Sequence, residues 1–273
     1  MMPERVASAL SILLFLTACI GTVPGQSVPY RTSFEEPDYT LGNAAGQDGW
    51  KDVSATGAGA IQSANASGVK RGSQSLMIQP GAAVGKDLNG AAATTVYVDG
   101  YYLGPTVSET IEVTAITEPG TSLLLFHATL GILALNGNGT GGGAWEQTGV
   151  PVSTNGLQRI TICQHYKSAN PALQSWDLYI DGGLRKQGLG FKNNSITEFT
   201  GIDIETSETG QAFLDDLAVT TTPPDFLATP ALLWFQAEWM ENGGSFNWDL
   251  YPLAPDERVD SRDLGELLNR LGE

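Results

Sequence analysis

Two carboxylates, Asp203 and Glu205, lie on alternate residues of the run 201–205, Gly-Ile-Asp-Ile-Glu. Successive side chains of a strand point to opposite faces, so Ile202 and Ile204 are predicted to be buried while the two carboxylates share the open face. Paired carboxylates are the groups with which enzymes cleave glycosidic bonds, and without catalysis they accept hydrogen bonds from sugar hydroxyls. The alternative is a half-buried strand whose acidic face is only solvated.

A second strand offers an aromatic ring. Residues 174–183, Gln-Ser-Trp-Asp-Leu-Tyr-Ile-Asp-Gly-Gly, alternate apolar and polar side chains and then run into an Asp-Gly pair. This pattern predicts a hairpin strand with one buried face, formed by Trp176, Leu178 and Ile180. Tyr179 would lie on the opposite face, where a ring can stack on a sugar.

The parity of the two strands predicts a ligand-binding face. Tyr179, Asp203 and Glu205 are expected to share one sheet face, which we expect to be the concave one. The glycine-rich run 136–143 predicts a flexible loop, and Trp145, which follows it, is the fourth candidate for ligand contact. At either aromatic position the alternative is ordinary packing.

The sequence contains no complete set of catalytic residues. The two histidines, His127 and His165, form no His-x-x-x-His pattern, and no Gly-x-Ser-x-Gly motif occurs. Cys163 lies two residues before His165 on the same strand face, which is one spacing for a nucleophile and its base, but a single strand cysteine is more often a small packed residue. Because these catalytic motifs are absent, the sequence favours a non-catalytic protein, and we predict no catalytic residue.

The elements that position these residues are short strands. Between Tyr30 and Thr222 the chain is a series of alternating or apolar runs of β-formers separated by turn residues, without long amphipathic helices. The predicted strands cover residues 75–78, 94–103, 108–116, 123–135, 157–166, 175–181, 201–205 and 212–220. The pattern predicts an all-β antiparallel sandwich.

Several landmarks in this region resemble those of concanavalin A-like and laminin-G-like jelly rolls, in the same order along the chain. They are Phe34-Glu35 with Gly-Gln-Asp-Gly-Trp at 46–50, Gly-Ser-Gln-Ser-Leu at 72–76, Trp-x-Leu-Tyr-x-Asp-Gly at 176–182, and Phe-Leu-Asp-Asp-Leu-Ala-Val at 213–219. The resemblance implies a jelly-roll β-sandwich over residues 29–222, a fold that often holds carbohydrate on one sheet. In laminarinase-type glycosidases of this fold a Glu-x-Asp-x-Glu strand carries the nucleophile first, and Gly201 stands at that position here.

A second carboxylate group indicates a cation. Antiparallel sandwiches commonly pair their first and last strands, which would bring Glu35 or Glu36 near Asp215 and Asp216. Crowded carboxylates repel one another unless a cation lies between them, and calcium prefers such oxygen ligands. We therefore expect a structural calcium bound by Glu35, Asp215 and Asp216, as in the jelly-roll modules that the chain resembles. The alternative is a set of solvated edge acids.

The run Thr-Thr-Pro-Pro at 221–224 predicts a domain boundary. Residues 223–273 then predict two short helices with apolar stripes, a small helical pair that could contact a protein partner. The stretch 256–264 resembles the end of a dockerin or EF-hand-like calcium loop with its exit helix. That ligand set is broken, because unsuitable residues stand at three of its positions, Pro252, Ala254 and Glu257.

The first residues predict export. Arg5 precedes the apolar stretch 6–16, which is too short to span a bilayer, so residues 1–18 are predicted to be a secretory signal. The following Leu-Thr-Ala-Cys is similar to the bacterial lipobox, which implies cleavage before Cys19 and its lipidation. The alternative is an ordinary signal peptide cut nearby, for example after Gly25.

These features predict a cell-surface or outer-membrane lipoprotein tethered through residues 19–28, or a secreted protein. The formal net charge of −16 argues against nucleic acid and anionic membrane surfaces as partners, so any membrane contact would be through the lipid anchor. A polysaccharide or glycan is the expected ligand. The leading hypothesis is a non-catalytic carbohydrate-binding or adhesion protein. The alternatives are a diverged glycoside hydrolase or lyase, and a scaffold that binds a neighbouring protein.

Lipidation of Cys19 can be tested directly. Metabolic labelling with palmitate in a bacterial host should tag the native chain and should fail with Cys19→Ala, because the acylated position is lost. Export of the variant, followed by cell fractionation, provides the control. Labelling that persists in Cys19→Ala would rule out the lipobox.

Overall fold

A computed structural model describes residues 12–13, 26–54, 56–63, 68–90, 93–116, 120–207 and 210–228. The chain divides into two compact units, Met1–Thr222 and Pro223–Glu273. The described residues of the first unit form seventeen strands. In chain order they are β1 (Ile12–Leu13), β2 (Gln26–Ser27), β3 (Tyr30–Thr32), β4 (Gly42–Asn43), β5 (Trp50–Asp52), β6 (Gly59–Ser63), β7 (Gln74–Ile78), β8 (Ala83–Asn89), β9 (Thr95–Leu103), β10 (Leu124–His127), β11 (Gly131–Gly137), β12 (Gly143–Gln147), β13 (Gln158–His165), β14 (Ser175–Ile180), β15 (Gly183–Gly190), β16 (Gly201–Glu205) and β17 (Ala212–Thr220).

The strands form three sheets. The largest has nine strands in the order β15-β14-β13-β9-β17-β7-β6-β4, with β3 also paired to β17. A second sheet has the order β1-β10-β11-β12, and a third joins β16, β8 and β2, with β5 also paired to β8. Among the described strands β2 with β8 is the parallel pair. The prediction of an all-β antiparallel sandwich is confirmed.

The core lies between the large sheet and the two smaller ones. One hydrophobic cluster contains buried side chains from all three sheets, including Trp176 of β14, Phe126 of β10 and Ile202 of β16. The predicted parity of β14 is confirmed, because Trp176, Leu178 and Ile180 are fully buried in this cluster. Burial of such side chains stabilises the fold by about 1.5–3 kcal/mol each.

A smaller cluster lies on the second sheet. Leu123, Leu125, Leu133 and Leu135 pack there against the connection between β9 and β10. Within this connection, residues 108–116 were predicted to be a strand, and that prediction is wrong. The connection contains a 3₁₀ turn at Val113–Ala115 and an isolated bridge at Val107. Its apolar side chains are buried in the cluster by this irregular backbone, so their burial does not require a strand.

The run 123–135 forms two strands, where the sequence predicts one. Its turn is closed by His127, whose Nδ1 accepts hydrogen bonds from the backbone amides of Thr129 and Leu130 at 3.1 Å each. The glycine-rich run 136–143 is an ordered turn between β11 and β12. The Oδ1 atom of Asn138 accepts hydrogen bonds there from the amides of Thr140 and Gly142. The sequence predicts a flexible loop at this position, and the structure shows a hydrogen-bonded turn.

Strand β3, the first strand after residue 29, pairs with the last strand, β17, as predicted for the two ends of the sandwich. Tyr30–Thr32 lies against Leu217–Val219 of β17, while Ala212–Leu214 of the same strand pairs with β7. The change of partner coincides with an irregularity at Asp215 and Asp216, where the register against β9 shifts. Asp216 has a φ of 51°, in the left-handed region.

A buried polar network joins the N-terminal loops to β8. The hydroxyls of Tyr30 and Tyr39 both donate to Asp48 Oδ2, at 2.8 and 2.9 Å. Lys86 Nζ is 4.3 Å from the Tyr30 ring centroid, contacts the Asp48 carbonyl, and its side chain is 1% exposed. Burial lowers the pKa of Lys86, while Asp48 opposes that shift. A buried cation is tolerated here because a carboxylate, a carbonyl and an aromatic face surround it.

The termini are described in part. In the predicted signal only Ile12–Leu13 is described, as a strand paired with Leu124–Leu125. Of the second unit, Asp225–Ala228 is a short helix, α1, and the predicted helical pair and dockerin-like stretch lie outside the described residues. Among the described helices, none has the length and apolar character needed to cross a membrane.

The hairpin of β14 and β15 tests the assignment of the core face. Leu178 is 0% exposed and Leu184 is 48% exposed, so the same substitution can be made on a buried and an exposed side of one hairpin. We expect Leu178→Ala to lower the free energy of unfolding by about 2–5 kcal/mol and Leu184→Ala to change it by about 0.5 kcal/mol or less. Urea unfolding followed by tryptophan fluorescence measures both. Equal losses would contradict the assignment.

Candidate functional site

The outer face of the large sheet carries the polar side chains of three adjacent strands. On β13, residues alternate between the core, which Ile160 and Ile162 enter, and the outer face. The outer-face residues are Tyr97, Asp99 and Tyr101 of β9, Arg159, Thr161, Cys163 and His165 of β13, and Asp177 and Tyr179 of β14. Neither hydrophobic cluster among the described residues includes any of these side chains. We call these nine residues the outer-face site.

Strand register forms rows across this site. Cys163 lies opposite Asp177 on one side and Tyr97 on the other. Thr161 lies opposite Tyr179 and Asp99 in the next row. Neighbouring strands are about 4.8 Å apart, so side chains within a row are in contact distance.

The first group in the site consists of Cys163, His165 and Asp177. His165 Nε2 is 3.0 Å from Asp177 Oδ2 and 3.5 Å from Cys163 Sγ. The side chain of His165 is 30% exposed, whereas Cys163 and Asp177 are buried. The same ring nitrogen faces both partners, so this is not the arrangement in which a histidine binds a nucleophile through one nitrogen and a carboxylate through the other.

A β-bulge orients Asp177. Trp176 pairs with Leu189 and Leu178 with Lys186, so two residues of β15 lie opposite the single residue Asp177. One of the two, Gly188, has a φ of +68° and donates its amide to Asp177 Oδ1 at 2.7 Å. The other oxygen of Asp177, Oδ2, therefore faces His165.

The pKa values of the pair are shifted in opposite directions. The hydrogen bond with Asp177 raises the pKa of His165 to about 10, with Cys163 as a second contributor. Burial raises the pKa of Asp177, but the hydrogen bonds from His165 and Gly188 outweigh burial and leave that pKa below its ordinary value. An ion pair of protonated His165 and ionised Asp177 is therefore the state of these two side chains at neutral pH.

Tyr97 and Tyr179 retain their protons at neutral pH. Burial, followed by the neighbouring Cys163, raises the pKa of Tyr97 to about 12. Burial and the charge of Asp177 also raise the pKa of Tyr179. Both rings are half-buried, which leaves part of each ring accessible from the outer face.

The second group is a charged pair with hydrogen-bonding neighbours. Arg159 donates from Nε and Nη2 to the two oxygens of Asp99, at 2.9 and 2.6 Å, and the Thr161 hydroxyl donates to Asp99 at 2.5 Å. Tyr101 lies beside this pair, with the Arg159 guanidinium 5.8 Å and Lys70 Nζ 4.5 Å from its ring centroid. The bidentate geometry fixes the guanidinium plane.

One set of side chains in the described residues has the geometry of a metal site. The candidate ligand atoms of Cys163, His165 and Asp177 all lie within 4.8 Å of one another. The predicted calcium ligands Glu35, Asp215 and Asp216 do not form such a set among the described residues.

Each predicted calcium ligand has protein partners. Glu35 Oε1 accepts the amides of Ser73 and Gln74, at 2.8 and 2.7 Å. Asp215 accepts the amides of Lys70 and Arg71, and Arg71 Nε lies 3.4 Å from Asp216. Burial raises the pKa of Asp215 even though these backbone amides act to lower it. Glu35 and Asp215 thus both bind the loop 70–74 through its backbone amides. Calcium at this position stays a prediction.

The four predicted ligand contacts are not brought together. Tyr179 lies in the outer-face site, whereas Asp203 and Glu205 belong to β16 in a different sheet. The expectation that these three share one sheet face is wrong, because residue parity does not determine which sheet a strand joins. Trp145 belongs to the sheet of β12, donates its ring N–H to the Ile111 carbonyl at 2.7 Å and packs on the smaller cluster.

Sequence reasoning missed most of the site. The sequence pattern places Tyr97, Asp99, Arg159 and Thr161 only within two predicted strands, 94–103 and 157–166. The available signal was the alternation in Thr-Val-Tyr-Val-Asp-Gly-Tyr-Tyr-Leu at 95–103, where Tyr97, Asp99 and Tyr101 share one parity.

No family model matches the chain, and no curated protein matches it. Among solved structures the chain is similar to alginate lyase Aly36B, with 10% identity over 71% of this chain and 97% of that one, at a TM-score of 0.45. It is similar to an endo-beta-1,4-glucuronan lyase from the fungus Trichoderma reesei, with 9% identity over 73% and 94% and a TM-score of 0.39. It is also similar to the cellulose induced protein Cip1, with 12% identity over 71% and 97% and a TM-score of 0.41.

The His165–Asp177 pair predicts a pH dependence of stability. Because folding raises the His165 pKa from 6.5 to about 10, its stabilisation is complete below pH 6.5 and is lost as the pH rises through about 10. In a buffer containing EDTA, the loss caused by His165→Gln should therefore be largest below pH 6.5 and vanish above pH about 10. Denaturant unfolding across this range measures it.

The partner variant provides the control. Asp177→Asn removes the carboxylate that raises the His165 pKa, so the alkaline loss of stability should largely disappear in that background. If the cost of His165→Gln is the same at both ends of the range, the ion pair does not contribute as described.

Proposed function

We propose that the chain binds a carbohydrate on the outer-face site and does not chemically alter it. The observation that carries the proposal is the placement of three half-buried tyrosines, Tyr97, Tyr101 and Tyr179, around a layer of mutually paired polar side chains. The rings supply stacking surfaces, and the polar layer between them supplies directional contacts.

The spacing of the rings suits an extended ligand. Tyr97 and Tyr101 lie four residues apart on β9, which separates their Cα atoms by about 13 Å. Tyr179 lies two strands away from them, opposite Thr161. A chain of sugar rings crossing these strands would meet more than one aromatic side chain.

The polar layer is already ordered before a ligand arrives. Asp99 is held by Arg159 and Thr161, and Asp177 is held by His165 and the Gly188 amide. Side chains that are fixed in advance lose little conformational entropy on binding. Preorganisation therefore favours a binding function for this face.

The same hydrogen bonds disfavour the carboxylates of this face as the general base of an elimination or hydrolysis. A general base must present an acceptor within hydrogen-bonding reach of the substrate proton. The two carboxylates of the site, Asp99 and Asp177, are each engaged by protein donors. This engagement supports the non-catalytic alternative over the lyase and hydrolase alternatives.

Charge balance supports a neutral polysaccharide. Arg159 is paired with Asp99 and His165 with Asp177, so these pairs add no net positive charge to the face. The whole chain carries a formal net charge of −16, which repels polyanions at long range. Neutral glycans are therefore the first ligands to test.

Replacing the Tyr179 ring tests the proposal. After a glycan array identifies a ligand, titration calorimetry should give a dissociation constant on the order of micromolar to millimolar, because a shallow, wet site recovers little net hydrogen-bond energy. Tyr179→Ala should abolish detectable binding, whereas Tyr179→Phe, which keeps the ring, should retain it within about tenfold.

Two further measurements delimit the result. Asp203→Asn, on a different sheet, should leave the affinity unchanged. Incubation of the native chain with the bound polysaccharide should release no reducing ends and no unsaturated sugars. Binding that is insensitive to Tyr179→Ala would place the site elsewhere, and turnover that depends on Asp99 or His165 would establish an enzyme.

A further inference from the structure

We propose that Cys163, His165 and Asp177 bind one zinc ion, with a fourth coordination position open toward the outer face. The three ligands belong to the outer-face site. Zinc binding needs neither a sugar nor the tyrosine rings, so this proposal and the carbohydrate proposal can fail separately.

The donor set selects the class of metal. A thiolate sulfur, an imidazole nitrogen and a carboxylate oxygen are the three ligand types that zinc accepts in proteins. Calcium and magnesium prefer oxygen ligands, and a cysteine and a histidine together disfavour them. Within the described part of the chain, Cys163, His165 and Asp177 are the set of three such side chains whose ligand atoms lie close enough to share one ion.

The distances approach those of a tetrahedral site. Zinc bonds to sulfur at about 2.3 Å and to nitrogen or oxygen at about 2.0–2.2 Å, so ligand atoms of a tetrahedron lie about 3.3–3.6 Å apart. Cys163 Sγ and His165 Nε2 are 3.5 Å apart. His165 Nε2 and Asp177 Oδ2 are 3.0 Å apart, and all three atoms lie within 4.8 Å of one another. Small side-chain rotations would admit the ion.

The backbone holds these ligands on one face. Cys163 and His165 are alternate residues of β13, and Asp177 is the direct cross-strand partner of Cys163 on β14. The bulge at Gly188 supplies an amide to Asp177 Oδ1 and leaves Oδ2 directed at the group. An outer-shell hydrogen bond of this kind fixes the orientation of a ligating carboxylate.

Tyr97 borders the proposed ion, because it is the direct cross-strand partner of Cys163 on β9. With His165 30% exposed, an ion can enter from the outer face. Three protein ligands with one open position leave room for water or a ligand atom.

Cobalt substitution tests the site in the full chain. With Cys19→Ala, Cys163 is the single thiol, since the sequence has two cysteines. One equivalent of Co²⁺ should produce thiolate-to-cobalt charge-transfer absorption and intense tetrahedral d–d bands, and Zn²⁺ should abolish them while excess Ca²⁺ should not. Cobalt bound elsewhere on the acidic surface has no sulfur ligand and gives no such absorption.

Variants assign the ligands. In the Cys19→Ala background, Cys163→Ser should eliminate the charge-transfer absorption, and His165→Gln and Asp177→Asn should each weaken cobalt binding at least tenfold. Glu198→Gln, an exposed carboxylate outside the site, should have no effect. Zinc at 100-fold excess over its dissociation constant should raise the Tm of the parent chain by about 5–11 °C and leave Cys163→Ser unchanged.

If the ligand variants do not fold, the site can still be tested in the chain that keeps all three ligands. X-ray absorption of the zinc-loaded Cys19→Ala chain should show one sulfur at about 2.3 Å with nitrogen or oxygen neighbours. A first shell without sulfur, the absence of charge-transfer absorption, or absorption that survives Cys163→Ser would overturn the proposal and leave a metal-free hydrogen-bonded trio.

Discussion

Strand register between β9, β13 and β14 is the constraint on which the molecule's outer face depends. Side chains alternate with a period of two, so a slip of one residue would exchange the core and outer sets. Trp176 and Leu178 are fully buried, and their exposure in a slipped register would cost several kcal/mol. The apolar core therefore determines which polar residues meet on the other side, including Cys163 and Asp177.

The hairpin of β14 and β15 is the part that the sequence predicts best. Alternation from Trp176 to Ile180 sets the faces, and the Asp-Gly pair sets the turn, where Asp181 and Gly182 have φ values of 51° and 78°. Both lie in the left-handed region that a two-residue type I′ turn requires. The motifs that resemble those of jelly rolls predict the sandwich because each of them specifies a local strand and turn.

Non-local pairing explains what the sequence does not predict. The parity of Asp203 and Glu205 agrees with the structure, because Ile202 and Ile204 are buried, yet their strand joins β8 in a small sheet away from Tyr179. Nothing within the run 201–205 determines that partner. Likewise, Asp99 and Arg159 are sixty residues apart and meet only because β9 pairs with β13. Sites built from cross-strand neighbours require the register, which a single sequence leaves open.

The central claim is that the outer face of the large sheet holds the carbohydrate. Backbone NMR of the isotope-labelled chain, titrated with the polysaccharide found on the array, tests it most directly. We expect the largest amide shifts at Tyr97, Tyr101, Thr161 and Tyr179, with little change on β16. Shifts concentrated at Asp203 and Glu205, with Tyr179 unaffected, would contradict it.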